Sequence, residues 1–263
     1  VKRLALLALL LLPCAASAGF PGDPLRAAAE AFAEGASLRG DSAKARPKFA
    51  RAAELYDVVW NRGLRSAELA LARARAHRLA GSLPRSIAAL RDGRAAVPSA
   101  RDLQTELAEA RAAVAHPLEG PVGAQCRARD AFTVAARVSV AEAWVLVGAL
   151  WFCACACVVR FVMTRAAGWL WAAGAFALAL AAFGALWVHD ARARSDDRPA
   201  HVLLSDALLR TGNASSYPER FDAPLPAGAE VRERSRRGGW VQVELPGGAI
   251  GWLPEGVLVA CAG

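Results

Sequence analysis

The sequence predicts a multi-domain membrane protein in which an α-helical repeat domain, a two-helix transmembrane hairpin and a small all-β barrel follow one another along the chain. Three observations lead there. Hydrophobic residues make up 55% of the 263 positions, a high share for a purely soluble chain. Two long apolar runs without a charge lie late in the sequence. On either side of them the pattern differs, helical before and alternating after.

The first element is a segment that targets rather than folds. Lys2 and Arg3 precede an apolar run over 4–12, then Pro13, then Ala15, Ala16, Ser17 and Ala18 ahead of Gly19. That order is a secretory signal peptide over 1–18, with an apolar core too short to span a bilayer. Cys14 leaves a lipoprotein alternative open, although Pro13 stands where such a cleavage site has a small residue.

Residues 19–115 are rich in Ala, Leu and Arg, with helical apolar spacing interrupted near Gly40, Gly63, Gly81 and Pro98. Short helices joined by tight turns follow. An offset of about 34 residues aligns Ala52 with Ser86, Leu55 with Ala89, Tyr56 with Leu90 and Val59 with Gly93. This pattern resembles the tetratricopeptide repeat. The resemblance makes Ala74 the small residue of a first helix, Gly81 the turn, Ser86, Leu90 and Gly93 one face of a second helix, and Pro98 its stop. Ala70 and Arg73 stand where that repeat has large apolar residues, and His77 where it has an aromatic. Periodicity alone reads equally as an unspecialised stack of helical hairpins. In either reading stacked helices offer a binding surface, with Tyr56, His77 and Leu90 as its candidate partner-binding residues and the helix over 100–115 as a polar cap. Pro117, Gly120, Pro121 and Gly123 mark a linker over 116–142.

The apolar runs 143–159 and 166–188 reach about 25 and 34 Å as helices, the first extended by Phe161, Val162 and Met163, so spans over 143–163 and 166–188 can each cross a hydrocarbon core of about 30 Å. Residues 160–165 alone separate the runs, which makes a helical hairpin, since backbone in lipid must pair within its own helix. Trp144, Trp151, Trp169, Trp171 and Trp187 lie mostly near the span ends, where amphipathic rings favour the interface. If export begins at the signal peptide, both flanking regions are extracytoplasmic and Arg160 and Arg165 face the cytoplasm, in a bacterial inner membrane. Arginines also flank the outer ends, so the signal peptide carries the orientation.

The run Trp151-Phe152-Cys153-Ala154-Cys155-Ala156-Cys157 places three cysteines at alternate positions inside the first span. On a helix Cys153 and Cys157 lie about 40° apart while Cys155 points away. One metal cannot take all three, and a neutral thiol is a small apolar side chain suited to helix packing.

Residues 189–200 are charged and read as a tether. From 201 to 260 short alternating runs are split by Gly and Pro, the pattern of a small all-β barrel. In the run from Trp240 to Leu245, Val241, Val243 and Leu245 share one face, Pro246, Gly247 and Gly248 turn the chain, and Gly251-Trp252-Leu253-Pro254 opens another strand. These residues resemble a bacterial SH3-like domain. In ligand-binding members of that group Trp240, Trp252 and Pro254 would line an aromatic groove; the plainer alternative is that the two tryptophans cover a small core. Val257 stands where eukaryotic members have Tyr. Arg232, Arg234, Arg236 and Arg237 read as a solvated face or as an anionic cell-wall or lipid contact.

The net charge of +8 comes almost wholly from Arg spread over every segment, with Lys only at Lys2, Lys44 and Lys48, and no basic patch interleaved with aromatics points to nucleic acid. His77, His116, His189 and His201 lie in different segments without a second ligand at metal spacing. No phosphate loop, nucleophile elbow or carboxylate dyad is visible, so the expectation is a non-enzymatic protein without catalytic residues, metal or cofactor. Cys126 and Cys261 would both be extracytoplasmic, where a disulfide between them could persist.

Taken together, signal peptide, helical repeat, membrane hairpin and SH3-like domain resemble the BatE-type aerotolerance proteins, including the run GSLPRSIAALRDGRAAVPSARDLQTELAEAR. That resemblance implies an envelope scaffold with von Willebrand factor A-type membrane proteins and a MoxR-type ATPase system as partners. A second expectation, from a different class, is a sensor that binds peptidoglycan or a peptide through the SH3-like domain.

Overall fold

The computed structural model describes residues 23–117, 123–124, 126–127, 140–196 and 200–261. The signal segment 1–18 with Cys14, and most of the expected 116–142 linker, lie outside the described residues. The protein is mostly helical, with seven α-helices and a small antiparallel sheet among the described residues.

Five helices form the first unit: α1 (Pro24–Ser37), α2 (Ser42–Asn61), α3 (Ala67–Leu79), α4 (Leu83–Ala96) and α5 (Arg101–Ala112). Their starts are set by side chains that accept otherwise unpaired backbone N–H groups, Asp23 from Leu25, Asp41 from Lys44 and Ser66 from Leu69. The expected breaks at Gly40, Gly63, Gly81 and Pro98 all fall between helices. Gly81 has φ +89, and the N–H groups of Gly81 and Ser82 donate to the carbonyls of Arg78 and His77. That pair of bonds closes α3 through a left-handed residue, for which glycine has no steric cost. Each helix packs on the next, and α5 also reaches α3.

Small residues decide how near the helices come. A Cβ placed on Gly93 of α4 would lie 2.4 Å from the Cβ of Ala70 and 3.1 Å from a methyl of Leu103. Ala70 is therefore small because α3 and α4 touch there. The same closeness buries Tyr56, His77 and Leu90, at 6%, 4% and 1% exposure. The expected partner-binding face made of these three residues is corrected: they are core, since helices this close leave no groove between them.

Two apolar helices follow, α6 (Val140–Thr164) and α7 (Ala167–Asp196). Each contains a stretch long and apolar enough to cross a membrane, Ala141–Thr164 and Ala167–His189. They pack against each other as a hairpin. Arg165 turns the chain with φ 52, its N–H bonded to the Phe161 carbonyl at 2.7 Å. Trp144, Phe152, Trp171 and Leu178 point outward, Trp171 at 81% exposure, an apolar surface that suits lipid rather than water. Ala143, Cys157 and Ala173 are buried instead, as small side chains at a helix contact in lipid should be. The expected tether from 189 is helical as far as Asp196, because Ala and Arg sustain a helix once it has left the apolar stretch.

The sheet comprises β1 (Ala200–Leu203), β2 (Glu230–Arg237), β3 (Trp240–Glu244), β4 (Ile250–Pro254) and β5 (Leu258–Ala260), all antiparallel, in the order β4-β3-β2-β1-β5. It is not closed, which corrects the expected barrel. The outer edge of β4 is met by a loop residue, Arg210, whose N–H and C=O bond the backbone of Trp252 at 3.0 and 2.8 Å. With that edge taken, β5 pairs with β1 at the opposite end. Leu203, Leu209, Leu225, Val231, Val241, Val243, Leu245 and Leu253 form the sheet's core.

The helical unit and the sheet were expected as separate modules, yet they share a contact. Helix α4 packs on β1 and β5, and Val202 and Cys261 belong to the helical core.

Gly93→Ala should lower stability by about 1–3 kcal/mol through overpacking. Thermal or urea unfolding checks this, and Ala70→Gly added in the same chain should recover part of the loss, since the clash is with the Ala70 methyl.

Candidate functional site

At the junction between the helical unit and the sheet a single acid meets two bases. Glu230 opens β2 and its side chain is 3% exposed. Arg111, at the end of α5, donates from Nε at 2.5 Å and from Nη2 at 3.0 Å; Arg91, on α4, donates to the same carboxylate. Burial alone would raise the Glu230 pKa, but the hydrogen bond from Arg111 and the charge of Arg91 outweigh it and hold the group below the ordinary carboxylate range. Just before it, Gly228 has φ +92, and a Cβ there would stand 2.8 Å from Val114 and 3.2 Å from Ile87. The turn thus brings bare backbone against the helical unit, which sets Glu230 between its arginines.

A second ion network lies within the helices. Arg73 on α3 bridges Asp57 on α2 and Asp92 on α4, its Nη1 2.7 Å from Asp92. His77 adds Nε2 at 3.2 Å from the Asp57 carboxylate, and the Arg73 guanidinium lies over the Trp60 ring at 5.5 Å. Desolvation would raise the Asp57 pKa, but the His77 hydrogen bond and the Arg73 charge bring it below the ordinary range. The departures from repeat pattern at Arg73 and His77 are therefore partners in one cluster, with a packing role.

Beside Glu230 opens a cavity of about 420 Å³ lined by Arg111, Val114, His116, Cys126, Arg127 and Ala229, among others. The Nδ1 atom of His116 is buried without a hydrogen-bond partner among the described residues. Sequence reasoning misses this place, because its walls come from three distant segments and His116 stands alone in the sequence at the start of a linker.

The tryptophans stand elsewhere. Trp240 faces Pro254 and Gln242 faces Trp252 across β3 and β4, so Trp240, Trp252 and Pro254 share one face of the sheet. Both strands alternate between buried and half-buried positions, and the half-buried set is theirs. Val241, Val243 and Leu253 fill the opposite, core side. The two tryptophans consequently do not build the sheet core. The arginines of β2 are largely engaged: Arg234 meets Glu244 at 2.9 Å, and Arg236 meets Glu233 and Glu255 at 2.6 and 2.7 Å. Buried His201 joins the same chain through Glu233 at 2.6 Å. A face so neutralised is poorly suited to an anionic polymer.

Cys126 and Cys261 are both buried free thiols, one in the sheet core and the other in the helical core, so the expected bridge is not formed. Burial raises the Cys126 pKa and pushes Cys261 up to about 12, which makes both poor nucleophiles. In the membrane hairpin Cys157 is buried and Cys155 exposed, as their helical phase requires.

No protein-family model, curated protein or solved structure matches this chain.

Glu230→Ala should destabilise the junction by about 3–5 kcal/mol, since it removes the carboxylate that two largely buried guanidiniums share; hydrogen exchange in α4, α5 and β2 measures it. The folded pKa of Glu230 lies below the ordinary value of 4.5, so its contribution is complete above that value and is lost as the pH falls through the folded one. An acid titration followed by tryptophan fluorescence should show the halves separating in that window, and the step should vanish in Glu230→Gln.

Proposed function

We propose that this chain is a non-enzymatic membrane scaffold whose helical unit and sheet act as one extracytoplasmic body held on a transmembrane hairpin. The observation that carries the reading is the Glu230 contact with Arg91 and Arg111. Helical unit and sheet flank the hairpin in sequence, so a direct contact between them requires both on one side of the membrane, and two spans deliver that. The resemblance to BatE-type proteins supports an envelope role, with a tetratricopeptide-like stack and an SH3-like sheet presented to von Willebrand factor A-type and MoxR-type partners. With Tyr56, His77 and Leu90 in the core, partner contact falls to the outer surface of the stack.

Topology is tested by single cysteines at exposed positions, Arg46→Cys on α2, Arg237→Cys on β2 and Arg165→Cys in the hairpin turn. A membrane-impermeant maleimide applied from outside should label the first two and spare the third. Labelling of Arg46→Cys and Arg237→Cys from opposite sides would overturn the reading.

The outward position of Trp240, Trp252 and Pro254 favours a second reading, a sensor that binds peptidoglycan or a peptide through this face. Full-length protein in detergent should then sediment with sacculi, and Trp240→Ala should reduce retention about five- to thirtyfold, as loss of an aromatic contact of about 1–2 kcal/mol implies. Equal retention of the variant would remove this reading and leave the scaffold.

A further inference from the structure

The cavity beside Glu230 has the composition of a small-ligand site. Its volume, about 420 Å³, lies in the range of pockets that enclose small organic molecules, and such pockets favour junctions between folded units. Its charge is unbalanced. The carboxylate of Glu230 is taken by Arg91 and Arg111, whereas Arg127, on the exposed side of the wall, has no carboxylate partner among the described residues. Among the side chains that line the cavity, two guanidiniums, Arg111 and Arg127, stand against the single carboxylate of Glu230, an excess of positive charge that selects an anion. The buried Nδ1 of His116 is the second polar group left unused, and a buried polar atom without a partner is costly unless something fills the place. Val114, Cys126 and Ala229 supply an apolar part of the wall.

We propose that this cavity binds a small organic carboxylate with a short apolar body, the carboxylate paired with Arg127, the Nδ1–H of His116 donating a hydrogen bond, and the apolar body against Val114, Cys126 and Ala229. Desolvation and the neighbouring Arg127 charge both lower the His116 pKa, which keeps the imidazole neutral and a single-proton donor near pH 7. A cation is disfavoured by Arg127, and a bulky polymer by the volume. The ligand would touch α5 on one side and the turn at Gly228 on the other, so its binding would hold helical unit and sheet together.

The test uses the full chain in detergent micelles, with N-acetylalanine and butyrate as probes, N-acetylalaninamide as the uncharged control, and ligand line broadening by NMR as the readout. Saturable broadening by at least one acid and none by the amide is expected; preference for N-acetylalanine assigns a peptide terminus as the source, preference for butyrate a free acid. Arg127→Gln should weaken binding about tenfold, the worth of one charge-assisted hydrogen bond. Ala112→Phe, at an exposed position on the cavity wall, should abolish it without lowering the melting temperature. Binding of the amide equal to that of the acid, unchanged affinity in Arg127→Gln, or no broadening by either acid at about 10 mM would overturn the assignment. None of these outcomes depends on which side of the membrane the body occupies.

Discussion

One buried carboxylate organises this molecule. Glu230 is almost wholly removed from water, and a lone charge in that position would cost several kcal/mol. Two guanidiniums from the helical unit offset the cost, and they do so only while sheet and helices are in register. The pair adds direction to a contact that Val202, Val259 and Cys261 make apolar. Apolar surface alone would tolerate sliding; a carboxylate held by the Arg111 fork and by Arg91 does not. The close approach of Gly228 to Val114 and Ile87 follows from the same register.

The hairpin answers a different solvent. In α6 and α7 the large side chains face outward and the small ones meet, the reverse of the helical unit, where Leu90, Leu103 and Leu107 lie inside. A lipid surroundings gives no reason to hide Trp or Leu, and close contact then depends on Ala and Cys. The alternation of Cys153, Cys155 and Cys157 takes its meaning from this geometry, one thiol at the helix contact and another turned to the outside.

Much of the architecture was legible because its signals are local. Gly63, Gly81 and Pro98 mark helix ends by backbone geometry that few other residues accept, and apolar length alone identifies the two spans. The alternation of Val241 and Val243 with Trp240 and Gln242 marks which side of β3 is core, and the same period of two sends Trp240 and Trp252 to the other face. Non-local features escaped. Arg91 and Glu230 are 139 positions apart and Arg111 and Glu230 119; in a chain where Arg recurs throughout, nothing distinguishes the two that matter. Barrel closure was lost for a similar reason: whether β4 meets β5 or the loop at Arg210 depends on three-dimensional edges. The deviations at Ala70, Arg73 and His77, which weakened the repeat pattern, were the one sequence signal of the ion cluster and the tight helix contact.

Helix α7 continues without a break from Ala167 to Asp196, past the end of its apolar stretch at His189. At 1.5 Å per residue the extra segment stands about 10 Å high, close to the depth of a headgroup layer. With the apolar stretch in the bilayer, the extension carries the chain through about that depth before the sheet begins at Ala200. A tilt of the hairpin within the bilayer would therefore swing the projecting end of α7 through the headgroup layer, since helix inside and helix outside are one continuous rod.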